Sequence, residues 1–257
     1  MSLFQLGRRQ TRLPPPAKLP ASAEAGVRVY AFGDVHGRVD LLRPLFSAIA
    51  KDAGRTALRS IVVGLGDFID RGTEPKAVVQ TLVEGVLGCE LVSLRGNHEQ
   101  MLLDFLENPI SAGPSWLANG AFETLLSYGV PVRKVSRLAP TELQSMRDAL
   151  VRNIPPAHLL LLQKMRLSYA SCDYLFAHAG VRLKASVESQ VARDLLWIRS
   201  GFADRDSPFE KVVVHGHTPV NQPYLGRYRI NLDTGAYFTN QLSCLVIEGT
   251  TIRLLTQ

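Results

Sequence analysis

The sequence predicts an α/β sandwich: two β-sheets packed together and flanked by helices, with a helical insertion. Three observations carry this. Short β-rich runs alternate with runs of helical spacing over residues 27–99, the βαβ pattern of a parallel sheet. Residues 100–168 break the alternation with helical stretches, and β-rich runs then resume as far as residue 255. Short motifs of Gly, Asp, Asn and His follow the strands directly, on the side where open α/β sheets hold their ligands.

The elements follow in order. Val27-Arg28-Val29-Tyr30-Ala31-Phe32 is a β-rich run that ends at Gly33. Val39, Leu41, Leu42, Leu45, Phe46 and Ile49 keep helical spacing, and the pattern stops near Gly54. Residues 61–65 make a second buried strand, and a helix over 75–86 follows, Pro75 being tolerated in a first turn. Residues 91–94 make the third strand. Inside the insertion, 101–106, 116–126, 140–150 and 156–165 read as helices. Strands return at 174–177 and 212–214, then at 228–232, 242–247 and 251–255. The last two, split by Glu248-Gly249-Thr250, form a hairpin.

With 257 residues, 46% of them hydrophobic and 20% charged, the chain can bury the core of one large domain. No uninterrupted apolar run of ~18 residues occurs, so no membrane helix is expected. Cys89, Cys172 and Cys244 are odd in number, far apart and outside any Cys-x-x-Cys pair. They indicate a reducing, cytoplasmic setting rather than a disulfide framework or a structural zinc. The net charge of +6 hints at nucleic acid, but Arg8, Arg9, Arg12 and Lys18 put +4 of it in the first twenty residues. No nucleic-acid partner is expected. Residues 1–26, basic and rich in Pro14, Pro15, Pro16 and Pro20, read as a flexible head, and 27–257 as the globular domain.

Five motifs carry the chemistry: Gly33-Asp34-Val35-His36-Gly37, Gly66-Asp67-Phe68-Ile69-Asp70-Arg71-Gly72, Arg95-Gly96-Asn97-His98-Glu99, His178-Ala179-Gly180 and His215-Gly216-His217. They hold five of the six histidines, and a packing explanation that serves each one singly fails for the set. Asp34 and His36, two apart after a strand, share a face if the backbone stays extended. Asp67 suits a carboxylate that gives one oxygen to each of two metals. Asn97 offers an amide oxygen, and its neighbour His98 is free for acid–base work. His178 and His217 add imidazoles, while Arg71 can hold an anion. Oxygen and imidazole donors together indicate Mn2+, Fe or Zn2+. Two such ions form the clamp used in phosphoester hydrolysis. Trp116 and Trp197 read as packing residues and His158 as structural.

These motifs closely resemble the phosphoprotein phosphatase family of the calcineurin-like metallophosphoesterase superfamily, in its small bacterial serine/threonine phosphatase form. Similar stretches include Trp116-Leu117-Ala118-Asn119-Gly120, Asp194-Leu195-Leu196-Trp197-Ile198-Arg199, His215-Gly216-His217-Thr218-Pro219 and Asp233-Thr234-Gly235-Ala236, so the likeness runs from about 27 to 255. The resemblance implies a four-layer α/β/β/α sandwich. It implies Asp34 and His36 on the first of two divalent metals, foremost Mn2+, with Asp67 bridging and Asn97, His178 and His217 on the second. It further implies His98 as general acid oriented by Asp70, and Arg71, Arg199, Asn97 and His98 as contacts to the substrate phosphate. Where the wider superfamily has a second His in Gly-His-x-His, this chain has Pro219, which leaves the first metal more water. The implied reaction is direct attack of a metal-bridging water on a phosphomonoester, most simply phosphoserine or phosphothreonine in a protein. The alternatives are a small-molecule phosphatase, such as a dinucleoside tetraphosphatase, and an inactive binding module. The intact motifs disfavour the last.

Overall fold

The computed structural model describes residues 19–132 and 139–255. The first sheet is built on β1 (Val27–Phe32), β2 (Arg59–Gly64) and β3 (Glu90–Ser93), all parallel. They are joined through α1 (Val39–Ala53) and α2 (Pro75–Glu84), as the alternation predicts. The helical region comprises α3 (Asn97–Glu107), α4 (Pro109–Ala118), α5 (Ala121–Ser127), α6 (Pro140–Asn153) and α7 (Pro156–Lys164). The second sheet takes β4 (Ser168–Ser171), β5 (Tyr174–Ala177), β6 (Val212–His215), β7 (Tyr224–Leu225) and β8 (Arg229–Asn231). The short helix α8 (Ala192–Trp197) lies between β5 and β6, and α9 (Ala236–Thr239) follows β8. The chain then returns to the first sheet with β9 (Cys244–Glu248) and β10 (Thr251–Leu254), giving the orders β10-β9-β1-β2-β3 and β4-β5-β6-β8-β7.

Alternation along the strands assigns the two faces. Val29 and Ala31 of β1, with Ile61 and Val63 of β2, point at Phe176, Val214 and Ile230 of the second sheet, and this apolar layer glues the sheets together. Tyr30, Phe32 and Val62 point the other way, into a larger core under α1, α2 and the helical region. Leu175, Ala177 and Val213 back the second sheet against Leu195, Phe202 and Phe209. The result is the four-layer sandwich, with a thin outer layer made of α8 and its loops.

Three details depart from the sequence reading. The strands β4 and β7 were not expected, because Ser168-Tyr169-Ala170-Ser171 is small and polar and β7 has two residues. The single helix expected over 116–126 breaks at Asn119-Gly120, with Gly120 at φ +104°. Of the head expected to be flexible over 1–26, residues 1–18 lie outside the described residues. Within 19–26 the chain is held at 21–23, while Pro20 and residues 24–26 are exposed: Ala21 and Ala23 are buried, Ser22 N donates to Asp173 (2.9 Å) and Ala23 N to Gly249 O (2.8 Å). Small side chains at alternate positions let this segment close the end of the inter-sheet core.

Candidate dinuclear metal centre

All five motifs meet at the carboxyl ends of the parallel strands. Val35 N and His36 N both donate to Asp67 O (3.1 and 2.8 Å), and Gly216 N donates to His178 O (2.8 Å), so the loops brace one another in pairs. Where the loops after β2 and β3 cross, a Cβ on Gly96 would lie 2.1 Å from Asp67 Oδ1, so only glycine permits the approach. Seven non-glycine residues have positive φ among those described, and five are site candidates: His36, Asp67, Asp70, Arg71 and His217. Left-handed backbone at such residues is strained and persists where the surroundings enforce it. The same-face rule for positions two apart presumes extended chain, and His36 and His217 sit instead in turns past the strand ends.

Asp67 stands in the middle. Its Oδ2 lies 3.6 Å from His36 Nε2 and 3.8 Å from His98 Nε2, and its Oδ1 lies 3.4 Å from His178 Nε2. Two groups able to hold a metal therefore share it: His36, Asp67 and His98 on one side, Asp67, His178 and His217 on the other. Burial alone would raise its carboxyl, but the imidazoles of His178, His98, His36 and His217 hold it well below the usual range. Asp34 reaches the site from beneath; both its oxygens accept from His217 N at 3.2 Å, against Gly216, where any Cβ would collide with Oδ1. Burial, then the charges of Asp233 and Asp67, push its carboxyl well above normal.

The donor set fits divalent metals. His178 Nδ1 faces Leu65 O (3.0 Å), a carbonyl that can only accept, so Nδ1 carries the proton and Nε2 a lone pair. That lone pair faces Asn97 Oδ1 at 2.9 Å and His217 Nδ1 at 3.1 Å. The Asn97 oxygen faces it acceptor to acceptor, a pair that repels unless a cation lies between, whereas His217 presents Nδ1–H because its Nε2 accepts from Arg199. His36 repeats the pattern: Nδ1 donates to Ile69 O (2.8 Å), so Nε2 carries the lone pair, which accepts from Arg71 here and which a metal would take over. Burial pushes His36 and His217 down to about 3 and lowers His178, which keeps these imidazoles neutral, the form that ligates a metal. A guanidinium caps each end: Arg71 Nη1 donates to His36 Nε2 (2.9 Å), and Arg199 Nε to His217 Nε2 (3.0 Å).

His98 differs from these. Its Nδ1 donates to Asp70 Oδ2 (2.7 Å), and its Nε2 points at the centre. Burial opposes its charge, but Asp67 and the Asp70 hydrogen bond outweigh burial and raise its pKa. Geometry thus leaves His98 able to ligate or to give a proton, while the raised pKa favours the proton.

Sequence reasoning passed over four contributors. Trp116, read as packing, donates from Nε1 to Asp70 Oδ2 (2.8 Å), and the hydroxyl of Thr124 donates to Asp70 Oδ1. Both come from the helical region, which therefore reaches under the site as well as beside it. Glu99, quoted in its motif without a role, is fully buried at the third position of α3. It accepts from the amides of Gly96, Asp67, Phe68 and Ile69 at 2.8–3.2 Å. Asp233, in a strand–Asp–Thr–Gly sequence like the recognised motifs, is buried beside Asp34, and burial pushes it up to about 6. His215 is buried with its Nε2 3.3 Å from Arg229 Nη1 and its Nδ1 3.1 Å from Gly216 O. Since arginine only donates, Nδ1–H is fixed on Gly216 O, and His215 holds the peptide ahead of His217. His158, bonded to Tyr128 and Gln80, is structural as expected.

The fold and this centre together define a metallophosphoesterase. The chain belongs to the calcineurin-like phosphoesterase family, whose model matches residues 27–240. It is 23% identical to the bis(5'-nucleosyl)-tetraphosphatase PrpE [asymmetrical] of Oceanobacillus iheyensis, over 84% of this chain and 87% of that one. It is 33% identical to serine/threonine-protein phosphatase 1 of Salmonella typhimurium, over 36% of this chain and 38% of that one. A crystal structure proposed to be that of a diadenosine tetraphosphatase shares the fold, with a TM-score of 0.61 and 20% identity over 91% of this chain and 97% of that chain.

Proposed function

We propose that the protein hydrolyses dinucleoside polyphosphates, with dinucleoside tetraphosphates as its substrate class. The observation that carries this reading is the row of ligand groups joined at Asp67 and capped at one end by Arg71 and at the other by Arg199. Guanidiniums at both ends of one row can hold phosphate oxygens on either side of the reacting phosphorus. The likeness to the bis(5'-nucleosyl)-tetraphosphatase over most of both chains supports the same class.

Two divalent cations, Mn2+ foremost, held by Asp34, His36, Asp67, Asn97, His178 and His217, would supply Lewis acidity and activate a water as nucleophile. Arg71 and Arg199 grip the phosphate oxygens and offset the charge that a loose transition state spreads over them. As the bond to the leaving oxygen breaks, His98 delivers its Nε2 proton there, and Asp70 keeps the imidazole aimed.

A phosphoserine or phosphothreonine protein phosphatase is the second reading, and the His98–Asp70 pair favours it. An alkoxide leaves poorly without a proton, whereas a nucleotide phosphate needs little help. The partial likeness to the Salmonella phosphatase points the same way. Purified protein loaded with Mn2+ is to be assayed against a dinucleoside tetraphosphate, a phosphoserine peptide and p-nitrophenyl phosphate. We expect the highest kcat/KM for the dinucleotide; a higher value for the peptide would replace the first reading with the second.

A further inference from the structure

Two aromatic surfaces remain exposed where both adjoin the ligand row. Trp197, at the end of α8, is 42% exposed, with its ring 6.2 Å from that of His217. On α9, Tyr237 and Phe238 are 38% and 58% exposed and stack edge to face at 4.9 Å, and Tyr237 lies 5.4 Å from His36. His36 and His217 belong to different ligand groups, so the aromatics stand on the two sides of Asp67. Each has a guanidinium beside it. The Arg71 Cζ sits 5.2 Å over the Tyr237 ring, and Arg199, two residues after Trp197, is bonded to the same His217 that Trp197 touches. Exposed apolar side chains occur elsewhere on the surface, and what marks these three rings is their place beside the ligand row. A flat ring next to a phosphate-gripping cation is the pairing that holds a nucleobase and its phosphate. A phosphoserine side chain has nothing flat to lay on either surface.

We propose that Trp197 and the Tyr237–Phe238 pair are stacking platforms for the two nucleobases of a dinucleoside polyphosphate, one at each end of the ligand row. The phosphate chain then runs between Arg71 and Arg199. This rests on the substrate class proposed above and adds the residues that would select it. Stacking is worth roughly 5- to 150-fold in affinity per base.

The chain has two tryptophans, and Trp116 is buried against Asp70, so the emission change of Trp197 is read as the difference between the wild-type protein and Trp197→Leu. Metal-loaded protein is titrated with the β,γ-methylene analogue of ATP and, separately, with methylenediphosphonate, which has no base. Saturable quenching by the first alone is expected, and equal quenching by both, or by neither, overturns the Trp197 platform. By calorimetry, Trp197→Leu and Phe238→Ala should each weaken the ATP analogue by roughly 5-fold or more. They should change methylenediphosphonate binding far less, and Trp197→Phe should restore affinity. In turnover, the same variants should raise KM for a dinucleoside tetraphosphate more than for inorganic tripolyphosphate. Equal losses for base-bearing and base-free ligands would remove the platforms while leaving the substrate class intact. If no dinucleotide is cleaved while p-nitrophenyl phosphate is, the substrate class fails, and the emission and calorimetric comparisons still decide the platforms.

Discussion

Asp70 accepts from the side chains of His98, Trp116 and Thr124, and no part of it is exposed. A carboxylate held this way cannot rotate, and it passes that rigidity to the imidazole it faces. The raised pKa of His98 means that the proton is fully present below the ordinary imidazole value and is lost only as pH rises through the raised one. Asp70→Asn removes one of the raising influences. The alkaline limb of kcat for an alkyl phosphomonoester should therefore move to lower pH, as a pH–rate profile would show. His98→Asn should lose about 10²- to 10⁴-fold with that ester and much less with p-nitrophenyl phosphate, whose phenolate leaves unaided. An equal drop for the two esters would mean that His98 binds rather than donates. Glu99 illustrates a different residue-scale effect. Burial, then repulsion by Asp67, push it up to about 7, yet four amide donors and no acceptor surround it, and we read it as ionised. Glu99→Gln would turn an NH2 toward those amides and cost about 3 kcal/mol or more. Thermal unfolding would register this as a lower Tm.

At the scale of elements, the strands were legible because their apolar runs end at motifs, and the helices of α1 and α2 because their spacing is regular. The candidate ligands could be picked out because Asp, Asn and His were gathered at those ends. What the sequence hid was the backbone between them: left-handed turns at His36, Asp67 and His217 redirect side chains in a way that spacing rules for extended chain cannot anticipate. Trp116 and Thr124 were hidden for another reason, since nothing local distinguishes a tryptophan that packs from one that donates to a carboxylate 46 positions away. The break between α4 and α5 belongs here too. Gly120 O accepts from Arg71 N (3.1 Å), and a Cβ at Gly120 would lie 2.8 Å from Arg71 Cγ. Gly120→Ala would strain a left-handed position by about 1–2 kcal/mol and displace Arg71. Steady-state kinetics should show KM for phosphate substrates rising with little change in metal content.

At the scale of the whole molecule, the first sheet sends Asp34, His36, Asp67 and Asn97 to the centre, and the second sends His178 and His217. Metal would tie the two sheets, so chelation should abolish activity, Mn2+ should restore it, and Tm should rise with Mn2+. At a hundred times Kd the gain is about 2.7 kcal/mol. A Tm unmoved by either treatment would contradict metal binding at this junction. His217→Ala should lose metal and His215→Ala should keep it, which metal analysis distinguishes. The central strand of the first sheet adds a matter of timing. β1 pairs on one side with β2, close in sequence, and on the other with β9, where Val29 meets Ile247 more than two hundred residues later. A ribosome needs roughly 10–40 s to cover that distance. Throughout that interval the nascent chain shows an unpaired apolar edge, and the centre, whose Asp34 waits for His217, stays unassembled. Catalytic competence is therefore among the last properties the chain acquires, and newly made protein is most exposed to aggregation while it is still inactive.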